Sequence, residues 1–289
     1  MVENVTSRDR WVMAVVAVIA GILMLTVVPN IFISAMDAVL KGIAVKLSTI
    51  PNPDVKAAPQ IVTLFFPLWG ALSMIAGATL LAIILPLYRG ERWARAVAIG
   101  MAAIPAIAGA YLSGPIVYFA KNAMPLFLVL MTIGLVPYFV LLLWGRASVG
   151  EKVGNFFLFL ALGVTAAWSF SNAGSSLRIL MSRTDFSALY VFLLGVPVAM
   201  IGVIAVIVGI PFLAARTRAG WWLSLVGLLS VTLGNILLYL SGLTSPEFLL
   251  GIILGVVFSV VSLTLLLVPK IGGRLGCASI DAKSALFHT

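Results

Sequence analysis

LPLYRGERWARAVAIGMAAIPAIAGAYLSG, at residues 85–114, has a counterpart later in the chain, IPFLAARTRAGWWLSLVGLLSVTLGNILLYLSG at residues 210–242. Each stretch begins with a proline at the end of an apolar run and then crosses a short arginine-rich turn beside tryptophan. Each ends about one helix later in Tyr-Leu-Ser-Gly. We interpret the two stretches as one helical hairpin used twice. The alternative is chance similarity between two membrane hairpins of biased composition.

The composition identifies the class of protein. Hydrophobic residues make up 62% of the 289 residues and charged residues only 9%, which is typical of an integral membrane protein and not of a soluble domain. The net charge of +9 would suggest a nucleic-acid partner in a soluble protein. Here the basic residues are confined to short loops, where they act as topology signals. We therefore expect the lipid bilayer as a partner and no nucleic acid.

Eight apolar segments are long enough to cross a bilayer core of about 30 Å, which requires about 20 helical residues. They lie near residues 11–36, 60–88, 96–119, 124–145, 153–176, 187–213, 220–242 and 246–268. Backbone groups in lipid have no water to bond, so spans of this length must be helical. The sequence predicts an all-α polytopic membrane protein with eight transmembrane helices, in the cell or plasma membrane.

The distribution of basic residues predicts the orientation. The N-terminus, the even-numbered loops between predicted spans and the C-terminal tail contain twelve of the eighteen Lys and Arg residues. Because cytoplasmic loops are enriched in Lys and Arg, we predict that both termini are cytoplasmic. Residues 1–10 and 269–289 then form a cytoplasmic N-terminus and a cytoplasmic tail.

The predicted spans divide into two groups of four, at residues 11–145 and 153–268. Because four is an even number, both groups enter the membrane in the same direction, as parallel repeats do. The longest outer loop, residues 37–59, begins with DAVLKGIAVKLSTI, whose apolar residues share one helical face. This pattern predicts a short helix in the outer interface, ended by the prolines at residues 51–54.

The positions of the ionisable residues argue against chemistry inside the membrane. All nine Asp and Glu residues fall in loops, termini or span ends, the only histidine is His288 and the only cysteine is Cys277. Proton relays need ionisable groups at membrane depth, and haem, copper and iron sites need clustered His, Cys or carboxylate ligands. We therefore expect no enzyme activity, no metal and no cofactor.

Polar residues within the spans are the candidate ligand-binding residues. Asn30 and Asn172 are each the twentieth residue of their half, and Asn235 is predicted to lie deeper in the seventh span. The two Tyr-Leu-Ser-Gly sequences add Tyr111, Ser113, Tyr239 and Ser241. One interpretation is a paired polar vestibule between the halves that binds a neutral ligand or a lipid headgroup. The other is that the asparagines bridge or cap helix ends and the tyrosines belong to the interfacial aromatic belt.

The last span has small residues at intervals of four, Gly251, Gly255 and Ser259. Such spacing lets helix backbones approach closely. The sequence leaves open whether this face packs within the bundle or against another subunit.

These observations predict a non-catalytic integral membrane subunit that anchors or stabilises a membrane protein complex, with other membrane subunits as partners. A first alternative is a permease or channel-like carrier of a neutral or lipid-like solute, working between the two repeats. A second alternative is a quinone-binding membrane subunit of an oxidoreductase, because hydroxyl, amide and aromatic groups can hold a quinone.

Overall fold

A computed structural model describes residues 6–49, 55–144, 148–182, 190–241 and 246–268, together with Ile271. The structure is 94% helical, and the described residues contain no strand. Most of the C-terminal tail, with Cys277, and the prolines of residues 51–54 lie outside the described residues.

Ten α-helices make up the described chain. They are α1 (Ser7–Thr26), α2 (Val28–Thr49), α3 (Ala58–Ala82), α4 (Ile84–Arg89), α5 (Arg92–Phe119), α6 (Met124–Leu143), α7 (Val149–Ser182), α8 (Tyr190–Ala214), α9 (Arg218–Leu240) and α10 (Pro246–Leu267). A short 3₁₀ turn, Lys121–Ala123, precedes α6. Within the described ranges, nine helices are long and apolar enough to cross a membrane. The protein is therefore an all-helical, multi-pass integral membrane protein, as the sequence predicts.

The first predicted span, residues 11–36, differs from the structure in its bounds. The helix is interrupted at Val27, just before Pro29, which has no N–H to continue the regular bonding. Helical bonding resumes across the break, because the Ile31 N–H donates to the carbonyl of Val27 at 3.2 Å. The next helix, α2, then continues to Thr49, so the segment predicted as a separate interfacial helix is the second half of α2.

Helix packing arranges eight of the ten helices in two rings of four, with α2 packed against α3 and α5 of the first ring and α4 against α1. The first is a ring in which α1, α3, α5 and α6 contact one another in that order and α6 returns to α1. The second ring consists of α7, α8, α9 and α10. The two rings meet chiefly where α5 contacts α7 and α8. The Ala57 N–H, just before α3, also donates to the Ser182 hydroxyl at the end of α7, at 3.0 Å.

The closest helix pair is α8 with α9, and glycine makes this approach possible. A methyl group at Gly202 would lie 2.7 Å from the backbone nitrogen of Val231, and one at Gly227 would lie 2.8 Å from that of Val206. The glycines recur every seven residues on both helices: Gly195, Gly202 and Gly209 on α8, and Gly220, Gly227 and Gly234 on α9. Without side chains at these positions, the two backbones pack directly against each other.

The two arginine-rich turns end their preceding helices in the same way. The Glu91 N–H donates to the carbonyl of Pro86 at 3.0 Å, and the Thr217 N–H donates to the carbonyl of Phe212 at 3.0 Å. The residue before each donor is left-handed, a glycine with φ of 81° in the first turn and an arginine with φ of 57° in the second. Both turns therefore have the bonding pattern of a Schellman helix end.

Candidate functional site

The interior of the second ring contains a line of buried polar side chains on α7, which we call the polar stripe: Thr165, Ser169, Asn172 and Ser176. Their spacing of four, three and four residues places them on one face of the helix. The stripe extends from Thr165 to Ser176, about 16 Å along α7 at 1.5 Å per residue. It covers about a third of this helix, and its partners decide what it can do.

The C-terminal part of the stripe belongs to an amide cluster. The Asn172 side-chain nitrogen donates to the Gly251 carbonyl of α10 at 2.7 Å and to the Asn235 side-chain oxygen of α9 at 3.5 Å. The Asn235 nitrogen donates to the carbonyl of Val231 in its own helix at 2.9 Å. Asn172 thus connects three helices of the second ring.

Towards the N-terminal end of the stripe, Thr165 takes part in a hydroxyl pair, whereas the Ser169 hydroxyl has no hydrogen-bond partner. Thr165 of α7 pairs with Ser262 of α10 at 2.9 Å, and Thr232 of α9 pairs with Ser259 of α10 at 2.8 Å. Hydrogen bonds of this kind between membrane helices are worth about 0.6–2 kcal/mol each. The arrangement therefore stabilises helix packing.

The small-residue face of α10 points into this cluster. A methyl group at Gly251 would lie 2.8 Å from the Asn172 side-chain oxygen, and one at Gly255 would lie 2.9 Å from that of Asn235. Ser259 is fully buried. In the structure this face packs against α7 and α9 of the same chain.

The other predicted vestibule residues lie apart from the amide cluster. Asn30 is exposed on α2 and donates to a carbonyl four residues earlier in the chain, at 2.9 Å. Ser113 and Ser241 each donate to a carbonyl three residues back in their own helix, at 2.6 Å. The Tyr239 side chain is 53% exposed. Of the seven residues predicted for the vestibule, hydrogen bonding brings together Asn172 and Asn235.

Tyr111 belongs to an aromatic cluster that joins the two rings, formed with Phe65 and Trp69 of α3 and Phe170 of α7. The Phe170 ring lies 5.1 Å from Tyr111 and 5.0 Å from Trp69, both in edge-on geometry. Such edge-to-face pairs contribute about 0.5–1.5 kcal/mol beyond their buried area. The sequence pattern predicts only Tyr111 as a site residue, because the partner rings come from distant segments with no distinctive spacing.

Between the rings, nearer the middle of the membrane, lies a partly open apolar cavity of about 100 Å³. Residues of α5, α6 and α7 form most of its walls, and Ile210 of α8 contributes as well. Tyr138 lines the cavity, but its hydroxyl donates to the carbonyl of Phe159 at 3.2 Å. The cavity therefore offers hydrocarbon surface and almost no polar groups.

On the inner side, by the predicted orientation, Arg95 has a structural role that sequence analysis missed. Its guanidinium donates to the carbonyls of Leu141, Leu142 and Trp144 at 2.9, 3.2 and 2.6 Å. These are carbonyls at the C-terminal end of α6, which have no partners within the helix. The Trp144 indole N–H donates in turn to Asp9 at 3.1 Å. The sequence showed Arg95 only as one of several basic residues in an inner turn.

Among the described residues, no group of three or more His, Cys, Asp or Glu side chains is positioned to hold a metal ion. No family model, no curated protein and no solved structure matches the chain.

Proposed function

We propose that this chain is a non-catalytic subunit that anchors or stabilises a complex of other membrane proteins. The supporting observation is that most buried polar groups of the second ring bond to one another or to helix backbones. The Asn172 amide joins α7, α9 and α10, and the two hydroxyl pairs lie deeper in the same ring. Exceptions among the described residues include the hydroxyls of Ser169 and Ser224, which are buried without a hydrogen-bond partner. A bundle whose polar groups are mainly used between its own helices suits a scaffold better than a solute pathway.

We also propose eight membrane crossings, with α1 and α2 acting as one bent crossing. Two contacts support this. A methyl group at Gly21 of α1 would lie 2.9 Å from the Gly77 carbonyl oxygen, near the end of α3. Further along, a methyl group at Gly70 of α3 would lie 3.5 Å from the Phe32 ring of α2. First α1 and then α2 therefore pack along α3, and both run antiparallel to it.

Next along α2, the backbone of Phe119, the last residue of α5, lies directly against Gly42.

The helices α1 and α2 together form a long crossing, and α7, which begins the second ring, has 34 residues, or about 51 Å. Both exceed a bilayer core of about 30 Å. This shared excess length, the two similar rings and the matched turns support two parallel four-helix repeats. The distribution of basic residues supports cytoplasmic termini.

The two rings differ in one respect. In the second ring the closest pair is α8 with α9, whereas in the first it is α5 with α6, where Gly134 lies against the backbone of Ala106. If the halves arose by duplication, their packing has diverged.

The scaffold proposal is tested by isolating the tagged chain from its own membranes in a mild detergent and measuring the mass of the intact particle. We expect partner subunits in fixed stoichiometry. The same partners should dissociate or be degraded when this chain is removed, and re-expression should restore them. A lone monomer or homo-oligomer, with other membrane complexes intact after removal of the chain, would contradict the proposal.

The second candidate is a carrier of a lipid-like solute, and the apolar cavity between the rings is the observation that favours it. The cavity surface is hydrocarbon, so a neutral polar solute finds no partners there. This candidate predicts movement of a fluorescent lipid between leaflets of vesicles containing the purified chain. Rates equal to those of protein-free vesicles would eliminate it.

A further inference from the structure

Five of the fourteen residues that line the apolar cavity are small, and they lie on two facing helices. Ala103, Ala106 and Ala110 come from α5, and Gly163 and Ala167 come from α7. Larger side chains, including Met131, Leu135 and Phe139 of α6, stand at its rim and are partly exposed. Other large lining residues, Ile107, Tyr138, Phe159 and Ile210, are buried. The small side chains leave a recess between these helices, and the cavity is partly open to the outside of the protein.

The depth of the recess determines what its mouth faces. Ala106 is 13 residues from the nearer end of α5, and Leu135 is eight residues from the nearer end of α6. At 1.5 Å per residue these distances are about 20 and 12 Å along the helices. The mouth is therefore at the level of the hydrocarbon core, where neither water nor lipid headgroups are available.

The position of Gly163 indicates that the recess is unfilled by the protein itself. A methyl group added to this residue would have no heavy atom within 4 Å, apart from its own helix backbone and chain neighbours. By contrast, a methyl group at Gly134 of α6 would lie against the backbone of Ala106. An unfilled apolar space deprives its lining of dispersion contacts, and a chain of methylene groups would restore them.

We propose that the cavity is a binding site for one acyl chain of a bilayer phospholipid, wedged between the two rings. Three observations support this occupant. The lining is almost wholly apolar, the mouth opens at hydrocarbon depth, and the one hydroxyl in the wall is already bonded to a carbonyl. A lipid whose headgroup lies in the interface, about 15 Å from the midplane, can reach the site with its chain.

This role goes beyond anchoring and does not depend on partner subunits. If the protein is a lipid carrier, this cavity is the site that would hold the acyl chain of the lipid. Binding at the site does not require that the lipid be transported. A bound chain between α5, α6 and α7 would act as a filler that stiffens the contact between the rings.

The test is photolabelling of the full-length protein in phosphatidylcholine vesicles that contain a lipid with a diazirine in its acyl chain. Labelled peptides are identified by mass spectrometry. We expect enriched labelling of residues 131–139 and 159–167 over Ile201 and Ile204, which are exposed near the middle of α8. Equal labelling of these peptides would mean ordinary lipid contact and would overturn the proposal.

A matched pair of variants examines the site directly. Gly163→Leu places a side chain in the recess and should lower the enriched labelling about tenfold, equivalent to about 1.4 kcal/mol of binding. Gly163→Ala should lower it less. Gly150→Leu is the control, because Gly150 is also on α7 and has no neighbour within 4 Å, but does not line the cavity. Unchanged labelling in a folded Gly163 variant would overturn the proposal.

A second probe distinguishes the source of the chain. An isoprenoid quinone analogue with a diazirine in its tail is added to the same vesicles, with and without excess phosphatidylcholine. We expect phospholipid to prevent its labelling of the recess. Preferential labelling by the isoprenoid tail, resistant to excess phospholipid, would overturn the acyl-chain assignment in favour of a quinone site.

Discussion

Asn172 and Asn235 meet inside the second ring, with 3.5 Å between the side-chain nitrogen of the first and the side-chain oxygen of the second. The same Asn172 nitrogen lies 2.7 Å from the Gly251 carbonyl, and glycine at that position leaves room for the amide. An amide from α7 therefore contacts both α9 and α10 where each approaches α7.

Replacing Asn172 with leucine should destabilise the protein, whereas the same change at Asn30 should not. Asn172→Leu removes bonds to two helices and leaves a buried amide oxygen on Asn235 without its donor, which costs about 1–3 kcal/mol. Asn30 is exposed and bonds only locally, so we expect a change within about 0.5 kcal/mol. Denaturant titration of both variants in mild detergent measures the difference. Equal stabilities would show that the amide cluster contributes nothing to packing.

The close contact of α8 with α9 predicts a strong size limit at its glycines. A methyl group at Gly227 would lie 2.8 Å from the backbone nitrogen of Val206, so Gly227→Ala should cost about 1–3 kcal/mol through overpacking. Gly150→Ala adds the same methyl group in open space and should be neutral or stabilising by up to about 1 kcal/mol. The midpoint of thermal unfolding in detergent compares the two. Similar midpoints would contradict the direct backbone contact.

The two left-handed residues of the basic turns should respond in opposite directions to substitution. Gly90→Ala introduces a side chain at φ of 81°, with the Arg10 side chain 3.0 Å from the added carbon, and should cost about 1–2 kcal/mol. Arg216→Gly relieves the same type of strain but increases chain entropy in the unfolded state. We expect a gain of roughly 0.5 kcal/mol from these opposing effects. Unfolding free energies that change in the same direction would refute the shared Schellman geometry.

Much of the fold could be predicted because hydrophobic length is a direct physical requirement of the bilayer. The all-helical class follows from composition and span length, and each predicted span overlaps one or two of the observed helices. The α1–α2 boundary could not be placed, since residues on both sides of Val27 favour helix and only Pro29 marks the break. The seven-residue repeat of Gly195, Gly202 and Gly209 was visible in the sequence and could have predicted the close pair.

The candidate site was less predictable because side-chain contacts depend on which helices become neighbours. Asn30 and Asn172 occupy equivalent positions in their halves, yet one is exposed and the other is buried. Counting along the chain gives depth, but not the direction in which a side chain points around its helix. The cavity could not be predicted from the sequence either. Its volume depends on how side chains from four different helices, including the space beside Gly163, pack together in the folded protein.

The contact between Arg95 and the end of α6 predicts a substitution pattern that distinguishes a helix cap from a general membrane anchor. Arg95→Met keeps the apolar stem but leaves three carbonyls without their charged donor, which should cost about 1.5–3 kcal/mol. Arg95→Lys should recover only part of the loss, because an ammonium cannot reproduce the planar fork of a guanidinium. Arg89→Met is the matched control, since Arg89 is exposed in the arginine-rich turn that precedes α5. Hydrogen exchange at residues 138–144 should rise in Arg95→Met alone. If both methionine variants behave alike, Arg95 contributes only a positive charge near the turn and does not cap α6.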